Sequence, residues 1–580
     1  MKKITSILLG LLLLVNFSCS DYLDVNNNVD TPEWVEPHLR LASIQSAYEG
    51  MLYDMRAVGP LCQFMGTSST TYDVYAKHGF VVASDAAGET WRFVYWLQGM
   101  NLENLINDAI AREEYTLAGI GYAIKAYSWN LLANINGDAI LDDAFVPGKQ
   151  THRYNSQEEI YNAARKWAFT ALEYFDKVDN TAYGDKLTTN DLVYKGNKSQ
   201  WVKFTHAVLA RHYLCYSNKT DFLSGKNYAD SVIYHADQSF ISAADDAKVR
   251  TEGETSANSH FYGVRRENLS NTYTQSDYAV QVLTGTIPQY DAAGTNIGIL
   301  APQIVTDAAT LDPRACLLLG TASTGNPATY VYTGARPGAG SLGGAANFFG
   351  LNTAANTSNA GSGRWMYRDN APIALTSYAE IQLCKAEAAY LKNDQATALI
   401  AFKNGVAGHM DFCESYISSR DKVTTVDFRT AATTYLASQY VNGINPANFS
   451  LSHIMMQKWV ALFPWSLEAW TDIRRYNYDL VLGASGVPES GISYTTSRAY
   501  HKDDTDPTRV YKGFYIPSAD VQGRRMDLDV KNQGAPCYRL RPRYNSEYMW
   551  NKPSLEGLTP IPGTADNYQT SIMWFSKPGN

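Results

Sequence analysis

The side chains in this sequence with types and spacings suited to chemistry form three groups: paired acids, a glycine-rich hexapeptide, and aromatics set among polar neighbours. Glycosidic hydrolysis needs two carboxyl groups facing each other across a cleft, about 5 to 10 Å apart. Glu113 with Glu114, Asp142 with Asp143, and Asp245 with Asp246 are adjacent pairs. Adjacent residues on a helix point in different directions, so charged faces and loop ends account for them. Gly338-Ala339-Gly340-Ser341-Leu342-Gly343 has the spacing of a dinucleotide-binding loop. Such a loop must open a helix whose N-terminus holds the phosphate, whereas here Phe348-Phe349-Gly350 follows and makes a poor helix start. The stretch also approaches a serine-hydrolase elbow, but Ala339 replaces the first glycine and nothing places a His or an acid beside Ser341. There is no HExxH signature, no Walker A loop and no CxxC spacing, so no metal site, cofactor or catalytic centre is expected.

The aromatics are the positive signal. The 580 residues include 12 Trp, 40 Tyr and 20 Phe, and an excess of Tyr and Trp favours surfaces with an apolar face and a hydrogen-bonding edge. A sugar ring has the matching shape, with C–H groups on its face and hydroxyls at its rim. Trp129, Trp167 and Trp201 fall on helical stripes and read as core. The ligand-binding candidates lie in polar or Gly-rich settings: Tyr72 and Tyr75 in one run, Trp91 and Trp96 close to Asn101, and Tyr332, Arg336, Trp365 and Tyr367 further on. A net charge of -8 with no basic block excludes nucleic acid as a partner.

Positioning these residues requires a scaffold, and the chain reads as mainly α. Lys2 and Lys3 precede the apolar stretch Ile7 to Val15, and Ser18 precedes Cys19. That pattern predicts a lipoprotein signal over 1–18, acylation of Cys19 as a membrane anchor, and a tether over 19–34. Residues 35–580 form one expected domain. Amphipathic spacing runs from Val35 to Asp237, with Ile120, Ile124, Tyr127 and Leu131 on one stripe, and a capping box opens at Ser156-Gln157-Glu158-Glu159. Successive helix pairs of this kind resemble tetratricopeptide hairpins. Gly, Ala, Ser, Thr and Asn dominate residues 240–369, predicting a loop-rich insert with short strands and a few short helices laid on the helical scaffold. Helices resume with a second capping box at Ser377-Tyr378-Ala379-Glu380, then over Thr397 to Glu414, Phe428 to Tyr440, and His453 to Arg475, the last split by Pro464. An irregular tail from about Leu480 should pack back onto them. The six cysteines after Cys19 are expected to be mostly buried thiols.

Several segments together resemble the SusD/RagB family of nutrient-binding outer-membrane lipoproteins. They are Cys19-Ser20-Asp21-Tyr22-Leu23-Asp24-Val25, the Asn136-Gly137-Asp138 turn, Tyr378 to Ile381 leading to Ala386-Glu387-Ala388, Gln457 to Phe463 with Glu468-Ala469-Trp470 and Arg474-Arg475, and Arg539 to Tyr544. The resemblance implies a lipid-anchored protein facing the cell exterior, built on tetratricopeptide-like helices with a large irregular loop-rich ligand-binding face, which captures oligosaccharides and delivers them to a SusC-like TonB-dependent transporter. Some members take peptides instead, and a surface glycoside hydrolase is the competing reading. The helical motifs read as scaffold, with Glu468 expected to pair with Arg474 or Arg475 inside the helix turn.

Overall fold

The computed structural model describes residues 34–67, 73–81, 84–85, 87–180, 185–269, 272–284, 303–304, 312–320, 331–332, 334–336, 340–341, 365–417, 427–479, 509–514, 520–521, 524–525, 532, 535–558 and 565–579. Cys19, Tyr72 and most of the glycine-rich hexapeptide lie outside them. The longer helices are α1 (Pro37–Ser46), α2 (Glu49–Leu61), α3 (Gly99–Ala111), α4 (Tyr115–Asn136), α5 (Gln157–Phe175), α6 (Lys198–Leu214), α7 (Tyr228–Gln238), α8 (Tyr378–Leu391), α9 (Gln395–Glu414), α10 (Phe428–Ala437), α11 (Leu451–Ala461) and α12 (Ser466–Arg475). Among the described residues no helix is long and apolar enough to cross a membrane.

Each helix from α3 to α9 packs on its neighbour in sequence, giving a stack of helical hairpins. The stack then closes on itself, because α11 returns to α8 and α12 reaches α2 and α4. That closure explains why α4 departs from the one-stripe expectation. All of its residues except Tyr115, Tyr122 and Lys125 are buried, as a helix enclosed on several sides requires. Close approach comes from its glycines: a Cβ at Gly119 would stand 2.6 Å from the Phe175 ring on α5, and one at Gly121 would stand 2.6 Å from Ile106 on α3.

The helix ends follow from their caps. At α5 the box is complete: Ser156 Oγ accepts from Glu159 N, and the Glu159 carboxylate accepts from Ser156 N. At α8 only half of the expected box forms. Ser377 Oγ accepts from Glu380 N, but Glu380 turns away to take bonds from Arg211 Nε at 2.8 Å and Thr376 Oγ1 at 2.8 Å. The charged Arg211 guanidinium outcompetes the Ser377 backbone N–H for that carboxylate. The expected split at Pro464 separates α11 from α12.

Short strands anchor the insert. Strands β1 (Met65–Thr67) and β3 (Tyr273–Gln275) pair antiparallel, tying the insert to the segment after α2. Strands β2 (Ala247–Val249) and β4 (Ile373–Thr376) also pair antiparallel and bring its two ends together. The last segment docks on the turn after α4. Leu540 N donates to Ile135 O at 2.8 Å, Tyr568 Oη donates to Asn136 O at 2.6 Å, and Arg539 pairs with Asp138 at 2.6 Å. Gly137 has φ +79, and a side chain there would strike the Arg539 guanidinium, so glycine is required on both counts.

Ion pairs hold the closure in place. Glu387 of α8 pairs with Arg475 at 2.7 Å and Lys458 at 3.2 Å, while Asp472 meets Lys458 at 3.0 Å and Arg475 at 2.7 Å. The expected pairing of Glu468 within α12 is corrected: its carboxylate faces Arg211 of α6 at 3.4 Å. Residues six or seven apart are not helix-surface neighbours, whereas Asp472 and Arg475, three apart, are. Arg474 has a different environment, donating to Asn134 O at 2.8 Å and Tyr538 O at 2.7 Å over the Trp470 ring. Cys62, Cys215, Cys384, Cys413 and Cys537 are free and buried.

Candidate functional site

The nine sequence candidates divide sharply on solvent access. Tyr75, Trp91, Tyr332, Trp365 and Tyr367 are buried and present no open ring face to a ligand, so in this conformation they serve packing. Trp365 shows why: its indole N–H donates to Cys413 O at 3.1 Å and its ring lies against Tyr416, fastening the end of the insert to α9. Arg336 sits in a two-residue strand, and its side chain lies outside the described residues. Trp96, 67% exposed, and Asn101 remain at the surface.

Trp96 is carried by a π-helical turn, Phe93–Gln98, inserted between the short helix Glu89–Arg92 and α3. Such turns are uncommon and often mark functional sites. The extra residue turns Phe93, Val94 and Gln98 inward and Trp96 outward. Phe93 packs edge-on against Tyr48, Gln98 Nε2 donates to Ile44 O at 3.1 Å, and Tyr95 Oη donates to Ile140 O at 2.7 Å. Buried Trp91 lies 4.9 Å from the Tyr95 ring and supports it from behind. At the head of the segment, the Asp54 carboxylate accepts from Glu89 N at 3.0 Å and Thr90 N at 2.6 Å. Burial pushes that carboxyl up to about 6, against the pull of those bonds. A rigid base therefore presents a large, exposed indole.

Polar groups flank the indole. The Arg92 guanidinium stands 5.1 Å from the Trp96 ring centroid and pairs with Glu89 at 3.0 Å, a cation–π arrangement that fixes the ring. Asn101 Nδ2 donates back to Leu97 O at 3.2 Å, which leaves its amide oxygen as the acceptor offered to solvent. Met100, four residues after Trp96, is also exposed and extends the apolar patch.

Glu89 links this platform to a second one that sequence reading missed. Arg543 reaches Glu89 at 3.4 Å and Asp85 at 3.3 Å, and Asp85 also accepts from Asn545. Another π-helical turn, Tyr544–Tyr548, follows, with Tyr544 and Tyr548 stacked 5.3 Å apart. Beyond it Met549 and Trp550 are exposed, Trp550 by 75%. Asn551 clamps the backbone of His152 through two bonds of 3.0 Å. The available sequence signal is Met549-Trp550, two large apolar residues followed directly by polar Asn551 and Lys552.

Apart from the exposed Glu113, the paired acids have structural roles. Glu114 pairs with Arg112, Asp142 with Arg153, Asp143 with Lys149 and Asp245 with Lys203. Asp246 accepts from Tyr378 N at 2.7 Å. Glu380 and Glu468 do converge, but on Arg211 within the core.

Comparison with known proteins agrees with the architecture. The family described as SusD-like, starch-binding and associating with the outer membrane, matches residues 39–494. A SusD/RagB family protein from Bacteroides thetaiotaomicron aligns with a TM-score of 0.62 at 16% identity, covering 94% of this chain and 100% of that one. A chitin-binding protein aligns at 0.61 and 20% identity, covering 93% and 99%. A chitin-binding SusD homologue from Flavobacterium johnsoniae gives 0.57 and 15%, covering 93% and 97%. No curated protein matches. A family match over most of the chain, on a helical scaffold shared along its length with solved SusD-type structures, places the chain in the SusD-like family.

Proposed function

We propose that this chain is a lipid-anchored, surface-exposed binding protein that captures oligosaccharides and passes them to a SusC-like TonB-dependent transporter in the outer membrane. The observation that carries the reading is the Trp96 platform: an exposed indole on a braced π-helical turn, with Arg92 and the Asn101 amide beside it. An indole face suits the C–H face of a sugar, and the flanking polar groups suit its rim. Two structural relatives named as chitin-binding lend support from the fold side. The anchor rests on Cys19 at the end of the apolar leader, and the family description supplies the outer-membrane setting.

The role is binding rather than turnover. Glu380 and Glu468, which converge, are charge-compensated by Arg211 and line a cavity of only about 30 Å³, unlike acids flanking a cleft that admits a sugar chain. Peptide capture is the second reading, since the Trp96 patch with Met100 also suits an apolar side chain.

Isothermal titration against oligosaccharides and peptides, beside a product assay, tests the proposal. Oligosaccharide binding without product is expected, with Trp96→Ala weakening it by about tenfold or more. Product release overturns the binding role. Binding of peptides alone transfers the site to the second reading.

A further inference from the structure

A second concavity shares no residue with the Trp96 platform. A cavity of about 640 Å³ opens where the end of α1, the start of α2, the short helix Lys186–Asn190 and the segment after β2 meet. Its volume lies within the ~300–1,000 Å³ range of small-molecule sites. One part of the lining is apolar, made by Leu192, Val249 and Ile373, and the remainder carries hydroxyl, amide and charged groups.

The hydrogen-bond roles of those groups define what fits. Arg250 donates from Nε to Leu192 O at 3.2 Å and from Nη2 to Asp191 O at 3.1 Å. Thr251 Oγ1 donates to Ala371 O at 2.7 Å, and Asn258 Nδ2 donates to Glu252 Oε2 at 2.9 Å. With these donors engaged by the protein, the Thr251 oxygen and the Glu252 carboxylate remain as acceptors, Glu49 is paired with Arg266, and the exposed Thr188 and Thr189 hydroxyls can donate or accept. With Arg266 paired to Glu49, two carboxylates meet two guanidiniums, so the cavity has no spare charge to compensate an ionised ligand. Its complement is an uncharged molecule rich in hydroxyl groups, which both donate and accept, bearing an apolar face to lie on Leu192, Val249 and Ile373.

We propose that this cavity is a second saccharide subsite, selective for neutral sugar units over acidic ones. The inference rests on the glycan-binding reading above and adds a location and a charge preference. Thr189 lines the cavity from an exposed position on the short helix, so Thr189→Trp fills the space without entering the core. Glu252→Gln removes one carboxylate.

The test is titration of the parent, Thr189→Trp, Trp96→Ala and Glu252→Gln chains with N-acetylglucosamine trimer, maltotriose and galacturonic acid trimer, with circular dichroism confirming the fold of each. The parent should show two classes of site for a neutral trimer. Thr189→Trp should weaken one of them by about tenfold or more, and Trp96→Ala should leave that class intact. The acidic trimer should bind the cavity about tenfold more weakly, a gap that Glu252→Gln narrows. Parental binding in Thr189→Trp, or loss of all binding in Trp96→Ala, overturns the subsite while leaving the platform reading in place. Equal affinity for acidic and neutral trimers overturns the charge preference. Failure of every saccharide to bind the parent overturns both readings together.

Discussion

Glu387 illustrates how much one side chain carries. Burial pushes its carboxyl up, but Arg475 and Lys458 outweigh that and hold it down at about 2, from the ordinary 4.5. A lowered acid stabilises the fold fully above its unfolded value and loses that contribution as the pH falls toward the folded one. The window is therefore pH 4.5 down to 2. Glu387→Gln should cost about 3 to 5 kcal/mol at neutral pH, as removal of one partner from a buried charge cluster does. It should also flatten the acid limb of stability across that window, which urea unfolding measured as a function of pH would show. The sequence disclosed this residue inside a motif and marked it as scaffold, but its partners lie on α11 and α12, beyond the reach of local spacing. Residue-scale site reading had the same limit. Trp96 and Trp91 are five apart in equally aromatic surroundings, yet one is exposed and the other sealed under Tyr95, a distinction made by the π-helical turn.

At the scale of elements, spacing and caps revealed most of the helices. Helix α5 starts at its predicted box, and α9 is two residues longer at its start than the pattern indicated, because Asp394 caps it by accepting from Thr397 N. Helix α10 stops at Ala437 rather than Tyr440. The stripe assigned to α4 was correct as far as it went, but the periodicity could not register that α3, α5, α6 and α12 enclose the helix. Its glycines are the clearer clue in retrospect. A glycine inside a helix costs about 1 kcal/mol relative to Ala, and here that loss allows contact with Phe175 and Ile106. Gly119→Val should therefore destabilise the chain by about 1 to 3 kcal/mol through overpacking and leave ligand affinity unchanged. Thermal unfolding and titration of the same preparation check the two halves. A melting temperature equal to the parent's would mean that α5 yields readily.

Over the whole molecule, the expected return of the tail onto the helices is present, and its docking place on the Asn136-Gly137-Asp138 turn is a contact across some four hundred positions. No sequence window contains both partners, so composition could predict the return but not its address. The proposed tether at Cys19 has its own test. Cys19→Ala should leave unfolding behaviour unchanged and shift the protein from the membrane to the soluble fraction, which fractionation would reveal. A variant that stayed with the membrane would refute acylation at Cys19. The five sealed thiols carry one more implication. Burial pushes Cys215 up to about 11 and Cys384 and Cys537 up to about 12, and a protonated, enclosed sulfur is inert to alkylating reagents. Cys62 follows α2, Cys215 follows α6, Cys384 lies on α8, Cys413 lies on α9, and Cys537 belongs to the docked last segment. Each can react only when its own neighbourhood opens. The native chain thus carries a built-in set of clocks, and the order in which iodoacetamide marks them records where the stack first comes apart.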